Sequence, residues 1–284
     1  MVPLRSFLCP LSDWPLGARQ GLVGVLTDID DTLTTEGAIT PDALQALADL
    51  KVAGLRVIAI TGRPVGWSEP FAQTWPLDAI VAENGAVALV PAPEENSDPI
   101  SLQRPYSGRK ALSKIYQQDA ATRAHLFARM QQVLAQIERE VPGARRATDS
   151  AGRETDIAID HSEFTHLPQD AIDQVVRTMR AAGMNATVSS IHINGWFGAH
   201  NKLEGARWIV RERLGRDLDT EIDRWVYVGD STNDQVMFER FPLSVGVANI
   251  ARFVPQLHHL PRHVTQAERG AGFAELARAL LGGR

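Results

Sequence analysis

An apolar run that ends in closely spaced carboxylates, residues 22–33, constrains the fold more than any other part of this chain. Its first half reads Leu-Val-Gly-Val-Leu, which predicts a buried strand, and Asp28 and Asp30 follow directly. Charge at the end of a buried strand is costly unless a cation or a ligand compensates it. Two such carboxylates suit phosphoryl transfer, in which one attacks phosphorus and the other moves a proton near a metal ion. The plainer alternative is an acidic, capped turn.

Three later segments carry groups of matching chemistry. They are the strand-end turn Thr61-Gly62-Arg63, Lys202 at the start of an amphipathic stretch, and the strand-end cluster Asp230, Asn233 and Asp234. In open α/β sheets, ligands bind beyond the carboxyl ends of strands, and all these groups except Lys202 are expected at such ends. Taken singly, each has an ordinary alternative: a capped turn, an exposed lysine, or an N-capped turn.

The spacing of apolar residues predicts strands that alternate with helices. Predicted strands cover residues 22–26, 55–60, 79–82, 225–228 and 243–247. Predicted helices begin at Thr40-Pro41 and at Lys202, surround residues 236–238, and cover about 273–281. In the first helix Thr40 is the expected cap, Leu44, Leu47 and Leu50 share a face, and Gly54 follows the end. The alternation predicts an α/β fold with a doubly wound parallel sheet.

A central block interrupts this alternation. Residues 91–99 are rich in proline and acidic residues and predict an exposed loop or hinge. A long helix around 126–137, a strand over 155–159, a helix over 170–179 and a strand over 186–193 follow. Because the block supplies its own helices and strands, we predict an inserted α/β cap domain at 89–199, between core parts at 1–88 and 200–284.

Net charge, cysteine content and the lengths of apolar runs bear on the partners and the location of the protein. The net charge of −5 argues against nucleic acid, although a small anionic substrate needs only local positive charge. Cys9 is the single cysteine, so no disulfide within the chain is possible and a reducing, cytoplasmic location is expected. No apolar run reaches the roughly 20 residues of a membrane helix. Residues 1–20, broken by prolines, read as a tail into the first strand rather than a signal peptide.

With these segments located, the chain resembles the haloacid dehalogenase superfamily of phosphohydrolases. The resemblance rests on Asp28-Ile-Asp30-Asp31-Thr32, Thr61, Lys202 and Gly229-Asp230-Ser-Thr-Asn233-Asp234. The position of the inserted block is similar to that in the subgroup with a large α/β cap, subfamily IIB, which contains sucrose-phosphate and mannosyl-3-phosphoglycerate phosphatases. One departure is Asp31, where many members have glycine. The resemblance implies a Mg²⁺-dependent phosphatase that acts on a small phosphorylated metabolite, with a sugar phosphate favoured.

The resemblance also implies roles for individual residues. Asp28 corresponds to the nucleophile that forms an aspartyl-phosphate, and Asp30 to the acid/base. Thr61 and Lys202 correspond to the groups that bind phosphoryl oxygens during catalysis. The implied Mg²⁺ ligands are the Asp28 carboxylate, the Asp30 carbonyl and Asp230, with Asn233 and Asp234 in or just behind the coordination shell.

Further substrate contacts are weaker predictions. They are Gly62, Arg63, Asn84, His192, Asn194 and Trp196, beside Thr61 and Lys202. Arg63 could instead pair with a surface acid, Asn84-Gly85 could be only a turn, and Trp196 with Phe197 could be packing residues. Two other functions stay open: a phosphomutase similar to phosphomannomutase, which uses the same residues, and a non-catalytic module that binds Mg²⁺ and phosphate. Release of free phosphate distinguishes these from a phosphatase.

Overall fold

A computed structural model describes residues 8–92 and 111–282 of the 284-residue chain. The helices are α1 (Pro41–Val52), α2 (Val65–Thr74), α3 (Ala120–Glu140), α4 (Gln169–Ala181), α5 (Lys202–Leu214), α6 (Gln235–Arg240) and α7 (Arg269–Leu281). The strands of the first half are β1 (Cys9–Pro10), β2 (Gly24–Thr27), β3 (Thr34–Thr35), β4 (Ala38–Ile39), β5 (Arg56–Ile60), β6 (Ala79–Ala82), β7 (Val87–Pro91) and β8 (Leu112–Tyr116). The later strands are β9 (Arg145–Arg146), β10 (Ile157–Asp160), β11 (Asn185–Val188), β12 (His192–Trp196), β13 (Trp225–Gly229), β14 (Ser244–Gly246) and β15 (His263–Val264).

A nine-stranded sheet organises most of the chain, in the order β1-β15-β14-β13-β2-β5-β6-β7-β8. In this spatial order, the first seven strands, which end with β6, are parallel to one another. Strands β7 and β8 are added antiparallel at one edge. From β2 the chain winds one way through β5 and β6, and from β13 it winds the other way. The two directions diverge between β2 and β13, which is the topological switch point where α/β sheets bind ligands.

Helices cover both faces of this sheet. Apolar side chains of α1, α2 and α7 pack on one face, and those of α5 and α6 pack on the other. Nearly continuous apolar strands such as β5 and β13 suit a sheet that is buried on both sides. The predicted doubly wound α/β fold is therefore confirmed. None of the helices in the described residues is both long and apolar enough for a membrane span.

A second sheet, four-stranded and antiparallel in the order β11-β12-β10-β9, lies within the central block. Helices α3 and α4 pack against it through a separate apolar cluster. The single strand predicted over residues 186–193 is wrong, because β11 and β12 form a hairpin there. The Oγ atom of Ser189 accepts hydrogen bonds from the backbone N–H groups of Ile191 and His192, which folds the chain back.

The boundaries predicted for the inserted block stay a prediction, and the sheet pairing bears on where its first part lies. Strands β7 and β8 fall within 89–199 or at its start, yet they pair with the large sheet. The predicted loop at 91–99 begins at the last residue of β7, and its residues 93–99 lie outside the described part of the chain.

Where the structure describes it, the predicted tail is part of the fold, so that interpretation is wrong for residues 8–20. Strand β1 pairs with the edge strand β15, and Leu11 and Trp14 are buried in the cluster that includes α7. Arg19 is also buried and donates hydrogen bonds to the carbonyls of Ala279 and Trp14. Two apolar side chains and an available sheet edge explain this packing.

Two details of the first helix differ from prediction. Leu44 is 38% exposed, because Ala43 and Ala46 share the buried face with Leu47 and Leu50. Thr40 occupies the N-cap position, but its side chain makes no capping hydrogen bond. The predicted end is confirmed, since Gly54 follows the helix with φ +82°, a conformation that glycine adopts without strain.

Candidate active site

Asp28 and Asp230 lie side by side at the switch point. They follow β2 and β13, which pair in parallel with Thr27 opposite Val228. The Asp28 N–H donates to the Val228 carbonyl at 2.9 Å, which continues the pairing by one residue. Gly229 is required here, because a Cβ atom on it would lie 2.5 Å from the Asp234 carboxylate carbon. The strand-end carboxylates that the sequence predicted to meet therefore do meet.

Lys202 reaches these carboxylates from the start of α5. Its Nζ atom lies 2.6 Å from Asp28 Oδ1 and 2.7 Å from Asp234 Oδ1, and the residue is only 2% exposed. The side chain of Asn201 caps α5 through the N–H groups of Leu203 and Glu204, which fixes where the helix begins. Burial lowers the pKa of Lys202, but Asp234 and Asp28 outweigh it and hold the pKa above its usual range. The exposed-lysine alternative is excluded.

Asp234 has every carboxylate position occupied by protein donors. Its Oδ1 accepts from Lys202 and from the Tyr227 hydroxyl, and its Oδ2 accepts from the N–H groups of Asp230 and Ser231. Four donors leave little room for a cation on this carboxylate. Asp234 thus shapes the loop after β13 and orients Lys202.

Asp230 is fully buried and has one carboxylate oxygen without a partner. Its Oδ2 accepts from Asn249 Nδ2 at 3.0 Å, whereas Oδ1 has no hydrogen-bond partner among the residues that the structure describes. Burial, together with the charges of Asp28 and Asp234, raises the pKa of Asp230 far above its usual value. Asp28, Asp230 and Asp234 each place an oxygen atom within 4.8 Å of the others. Hard divalent cations bind oxygen ligands, and a group of buried carboxylates with one unpartnered oxygen supplies such ligands.

Asp28 shares this crowded environment. Burial raises its pKa, the ammonium of Lys202 opposes the rise, and Asp234 and Asp30 add to it, so that the pKa lies above its usual value. A cation at the cluster would supply the positive charge that these carboxylates lack. Since Lys202 holds only Oδ1 of Asp28, the geometry keeps this carboxylate in one orientation at the floor of the site.

Asp30 faces away from this cluster toward Arg63. The Arg63 Nε atom lies 3.0 and 3.1 Å from the two Asp30 oxygens. Burial raises the pKa of Asp30 and Arg63 opposes the rise, with a net upward shift. A raised pKa favours the protonated form that a general acid needs. Thr61, 1% exposed, follows β5, the strand that pairs with β2, and its hydroxyl accepts the Arg63 N–H at 3.0 Å.

Arg63 connects the large sheet to the central block. Its guanidinium donates to Asp149 at 3.1 Å and to Glu163 at 2.8 Å, besides Asp30, and lies over the Trp67 ring. It is 5% exposed, so the alternative of a surface ion pair does not apply. Glu163 also lies 2.8 Å from the Nε2 atom of His192.

The remaining predicted contacts, apart from Trp196, meet at the same junction. Asn194 Nδ2 donates to the Gly62 carbonyl at 3.1 Å and to Asp156 at 3.0 Å, and Asn84 Nδ2 donates to Asp156 at 3.3 Å. Burial, against the opposing charge of Arg153, raises the pKa of Asp156 to about 7. Trp196 packs in the apolar cluster of the central block, and its Nε1 donates to the His200 carbonyl. Asn233 is near Asp230, but its Oδ1 accepts the Ser231 hydroxyl.

The space above the nucleophile candidate is small. A cavity of about 10 Å³ is enclosed by the ends of β2 and β5 and by the turn at residues 189–192. That volume holds about one water molecule. A second cavity of about 420 Å³ adjoins it between α5 and the edge strand β11, and Asn84, Lys202 and Asn233 line its inner side. The structure is therefore a closed form in which the central block covers the carboxylates.

Several residues at the site were not predicted from the sequence. They are Glu83, Asp149, Arg153, Asp156, Glu163, Tyr227, Asn249 and Arg252. Asn249 lies in the helical turn Ala248–Arg252 that comes shortly after β14, so its place near a strand end was an available signal. The acidic residues of the central block carried no such signal, because their partners lie far away in the chain.

The fold and site define an α/β protein with strand-end carboxylates, a buried lysine and a covering second sheet. The sequence profile of the haloacid dehalogenase-like hydrolases matches residues 25–191, more than half of the chain. The chain therefore belongs to the haloacid dehalogenase-like hydrolase family, and the predicted family and the predicted hydrolase class are confirmed. No curated protein matches the sequence.

Solved structures show the same fold at low sequence identity. Protein 0175 of Thermoplasma acidophilum is 15% identical with a TM-score of 0.65, and the match covers 92% of this chain and 99% of that one. Sucrose-phosphatase from Synechocystis sp. PCC6803, solved with sucrose and phosphate, is 16% identical with a TM-score of 0.61, over 91% and 98%. A sugar phosphatase of subclass IIB is 14% identical with a TM-score of 0.57, over 92% and 100%. These similarities show the architecture of a doubly wound core with a large cap.

Proposed function

We propose that this protein is a phosphoric monoester hydrolase that acts through an aspartyl-phosphate and depends on Mg²⁺. The observation that carries the proposal is the buried group of Asp28, Lys202 and Asp230 at the switch point of the sheet. A carboxylate held by a buried ammonium, next to an acid with an unpartnered oxygen, is arranged to receive a phosphoryl group. Family membership supports the hydrolase class.

The two chemical steps need two carboxylates with different surroundings. In the first, an Asp28 oxygen attacks phosphorus, the bond from phosphorus to the ester oxygen breaks, and the Asp30 carboxyl gives its proton to the departing alcohol. In the second, Asp30 accepts a proton from water as the water oxygen attacks phosphorus, and the bond between Asp28 and phosphorus breaks. Lys202 and the Thr61 hydroxyl bind phosphoryl oxygens and offset the charge that develops on them.

The residues present fit a divalent cation. The Asp28 carboxylate, the Asp30 carbonyl and Asp230 Oδ1 are the ligands we propose, and oxygen ligands suit Mg²⁺. When bound, the cation neutralises phosphoryl charge and orients the substrate. Because the four donors on Asp234 occupy it, we place Asp234 behind the coordination shell, and we place Asn233 there as well.

A small phosphorylated metabolite, with a sugar phosphate favoured, is the substrate class we propose. The side of the site above Asp30 is polar, with Gly62, Asn84, His192 and Asn194 at the junction. Amide and imidazole groups suit sugar hydroxyls. The adjoining 420 Å³ cavity has room for a leaving group once the central block moves. Trp196 stays a weaker prediction, since it exposes only 2% of its surface.

Other parts of the prediction concern the setting of the protein. We propose that a reducing compartment such as the cytoplasm is where it acts, on the basis of its single, free cysteine, Cys9. Small metabolites are the partners that the closed, polar site supports. The net charge of −5 offers no support for a nucleic-acid partner.

Phosphate release from a panel of phosphorylated metabolites, with Mg²⁺ and with excess chelator, tests the proposal. We expect release that requires the metal and is greatest for sugar phosphates, and none from the Asp28→Asn variant. Transfer of the phosphoryl group between positions of a hexose phosphate, without free phosphate, supports a mutase instead. Binding of Mg²⁺ and phosphate with no turnover of any substrate supports the non-catalytic module.

A further inference from the structure

We propose that Asn249 is a positioning residue that turns Asp230 so that its Oδ1 atom faces the cation site. This inference rests on the proposed function, because it concerns the metal site of the same reaction. Asn249 lies outside the strand-end motifs that carry the family resemblance. It lies in the short helical turn that follows β14 and is 8% exposed.

Three hydrogen bonds determine the orientation of the Asn249 amide. Its Nδ2 donates to Asp230 Oδ2 and to the Asp31 carbonyl, both at 3.0 Å, and its Oδ1 accepts the Arg269 N–H at 2.9 Å. Two acceptors on one side and a donor on the other allow only one assignment of the amide nitrogen and oxygen. The side chain is therefore held rigidly, and it holds its partners in turn.

The consequence for Asp230 is that its two oxygens have different roles. Oδ2 is held by Asn249, with Arg252 at 3.4 Å, and within residues 8–92 and 111–282 no group hydrogen-bonds to Oδ1. Oδ1 is then the atom available to a cation, close to the carboxylate of Asp28. Without the amide donor, the buried carboxylate loses its main hydrogen bond and the preference for this rotation. In many metal sites, residues that hydrogen-bond to a metal ligand orient that ligand and so tune the affinity for the metal.

Asn249 also links the segment after β2 to the loop after β13 and so fixes the distance between them. The bond to the Asp31 carbonyl ties it to the segment that carries Asp28 and Asp30, and the bond to Asp230 ties it to the loop after β13. Asp31 has φ +55°, and its carboxylate lies 2.8 Å from Arg252 and 3.1 Å from Arg269. The residue that departs from the family glycine thus anchors both arginines around Asn249.

Calorimetric titration of the full-length, metal-free protein with Mg²⁺ alone tests the inference. We expect the dissociation constant to rise about 10- to 100-fold in Asn249→Ala, the range found for partners behind metal ligands. The thermal unfolding midpoint, measured without metal, checks that the variant folds. Should Asn249→Ala fail to fold, Asn249→Ser replaces it, because a hydroxyl is better tolerated at a buried polar position and is too short to reach Asp230.

Glu275→Ala is the matched control. The Glu275 carboxylate accepts the N–H groups of Gln266 and Ala267, so its loss loosens the same segment before α7 without touching Asp230. We expect its Mg²⁺ affinity to stay at the wild-type value. Wild-type affinity in Asn249→Ala, or equal weakening in both variants, overturns the positioning role alone. Absence of Mg²⁺ binding by the wild type overturns the proposed metal site and this inference together.

Discussion

The two halves of the candidate site are built in different ways. The half around Asp28 and Asp230 is made of adjacent strand ends and the start of one helix, all within the large sheet and its helices. The half around Asp30 and Arg63 is completed by Asp149 and Glu163, which belong to the central block. The first half is therefore fixed by the sheet, whereas the second exists only when the block is closed.

This difference suggests a division of labour. In the proposed mechanism, the groups that attack phosphorus lie in the half around Asp28 and Asp230, where burial makes charge interactions strong. In the same mechanism, the group that meets the leaving alcohol lies in the half around Asp30 and Arg63, where the cavity of about 10 Å³ is too small for a substrate unless the central block moves. Closure around a bound substrate would then exclude water from the half around Asp28 and Asp230.

The largest of the predicted effects should come from removing the proposed nucleophile, Asp28, in the half around Asp28 and Asp230. We expect Asp28→Asn to lower turnover by at least about 10³-fold, because an amide does not attack phosphorus. Steady-state kinetics with the best substrate measures it, and circular dichroism checks the fold. Turnover close to wild type contradicts the role of Asp28 and the contrast between the halves.

Loss of the buried lysine should come next. We expect Lys202→Met, which retains the volume of the aliphatic stem, to lower turnover by roughly 10²–10³, the order for one charge-stabilising group. Lys114→Met is the control, since Lys114 lies on the edge strand β8 and pairs with Glu69 and Glu154 rather than with Asp28 or Asp234. An unchanged rate in Lys202→Met would show that this lysine is structural.

The segment that joins the two halves contains a buried histidine, His200, which should make the stability of the fold depend on pH. His200 lies between β12 and α5, and burial lowers its pKa to about 4. Since the unfolded chain binds a proton near pH 6.5 and the folded chain does not, this residue costs stability as the pH falls below 6.5. We expect about 2 kcal/mol to be lost between pH 7 and pH 5.

Urea unfolding of the wild type and of His200→Gln at both pH values measures that loss. The fall in unfolding free energy should be smaller in His200→Gln by this amount, because all other titrating groups are common to both proteins. An equal fall in the two proteins would mean that His200 is already protonated, or exposed, in the folded state.

A mild change in the half around Asp30 and Arg63 should have the smallest effect. Glu163→Gln keeps the side-chain shape but removes the charge that binds Arg63 and His192. We expect amide hydrogen exchange in residues 189–194 to be about three- to tenfold faster, as the closed form loses one charge-assisted contact. Glu140→Gln, on the exposed end of α3, is the control. Unchanged exchange would mean that Arg63 does not hold the block closed.

The same contrast explains what the sequence could predict. Asp28 and Asp230 were predicted to meet because each follows an apolar strand, and parallel strands end at one edge. The position of Lys202 alone favoured an exposed lysine, and only the family resemblance implied that it belongs to the site. The partners of Arg63 in the central block were not predicted, since Glu163 lies 100 residues away, in the turn after β10. No local sequence pattern predicts how the side chains of the central block face those of the large sheet.

The fold shows the same limit. Buried parallel strands were predicted well, because long apolar runs bounded by turns are a local signal. The antiparallel edge strands β7 and β8, helix α2 with Pro70 inside it, and the pairing of β1 with β15 were missed. Each depends on a neighbour that supplies an open edge or an apolar face, and the short segments alone are ambiguous.

Detection of a covalent phosphoenzyme tests the central claim most directly. Asp30→Asn is treated with Mg²⁺ and p-nitrophenyl phosphate, whose leaving group needs no proton, then quenched in acid and measured by intact-protein and peptide mass spectrometry. The account predicts the added mass of one phosphoryl group on the peptide that contains Asp28, and none in the double variant with Asp28→Asn. Release of p-nitrophenol without labelled protein, or a label elsewhere in the chain, would contradict it.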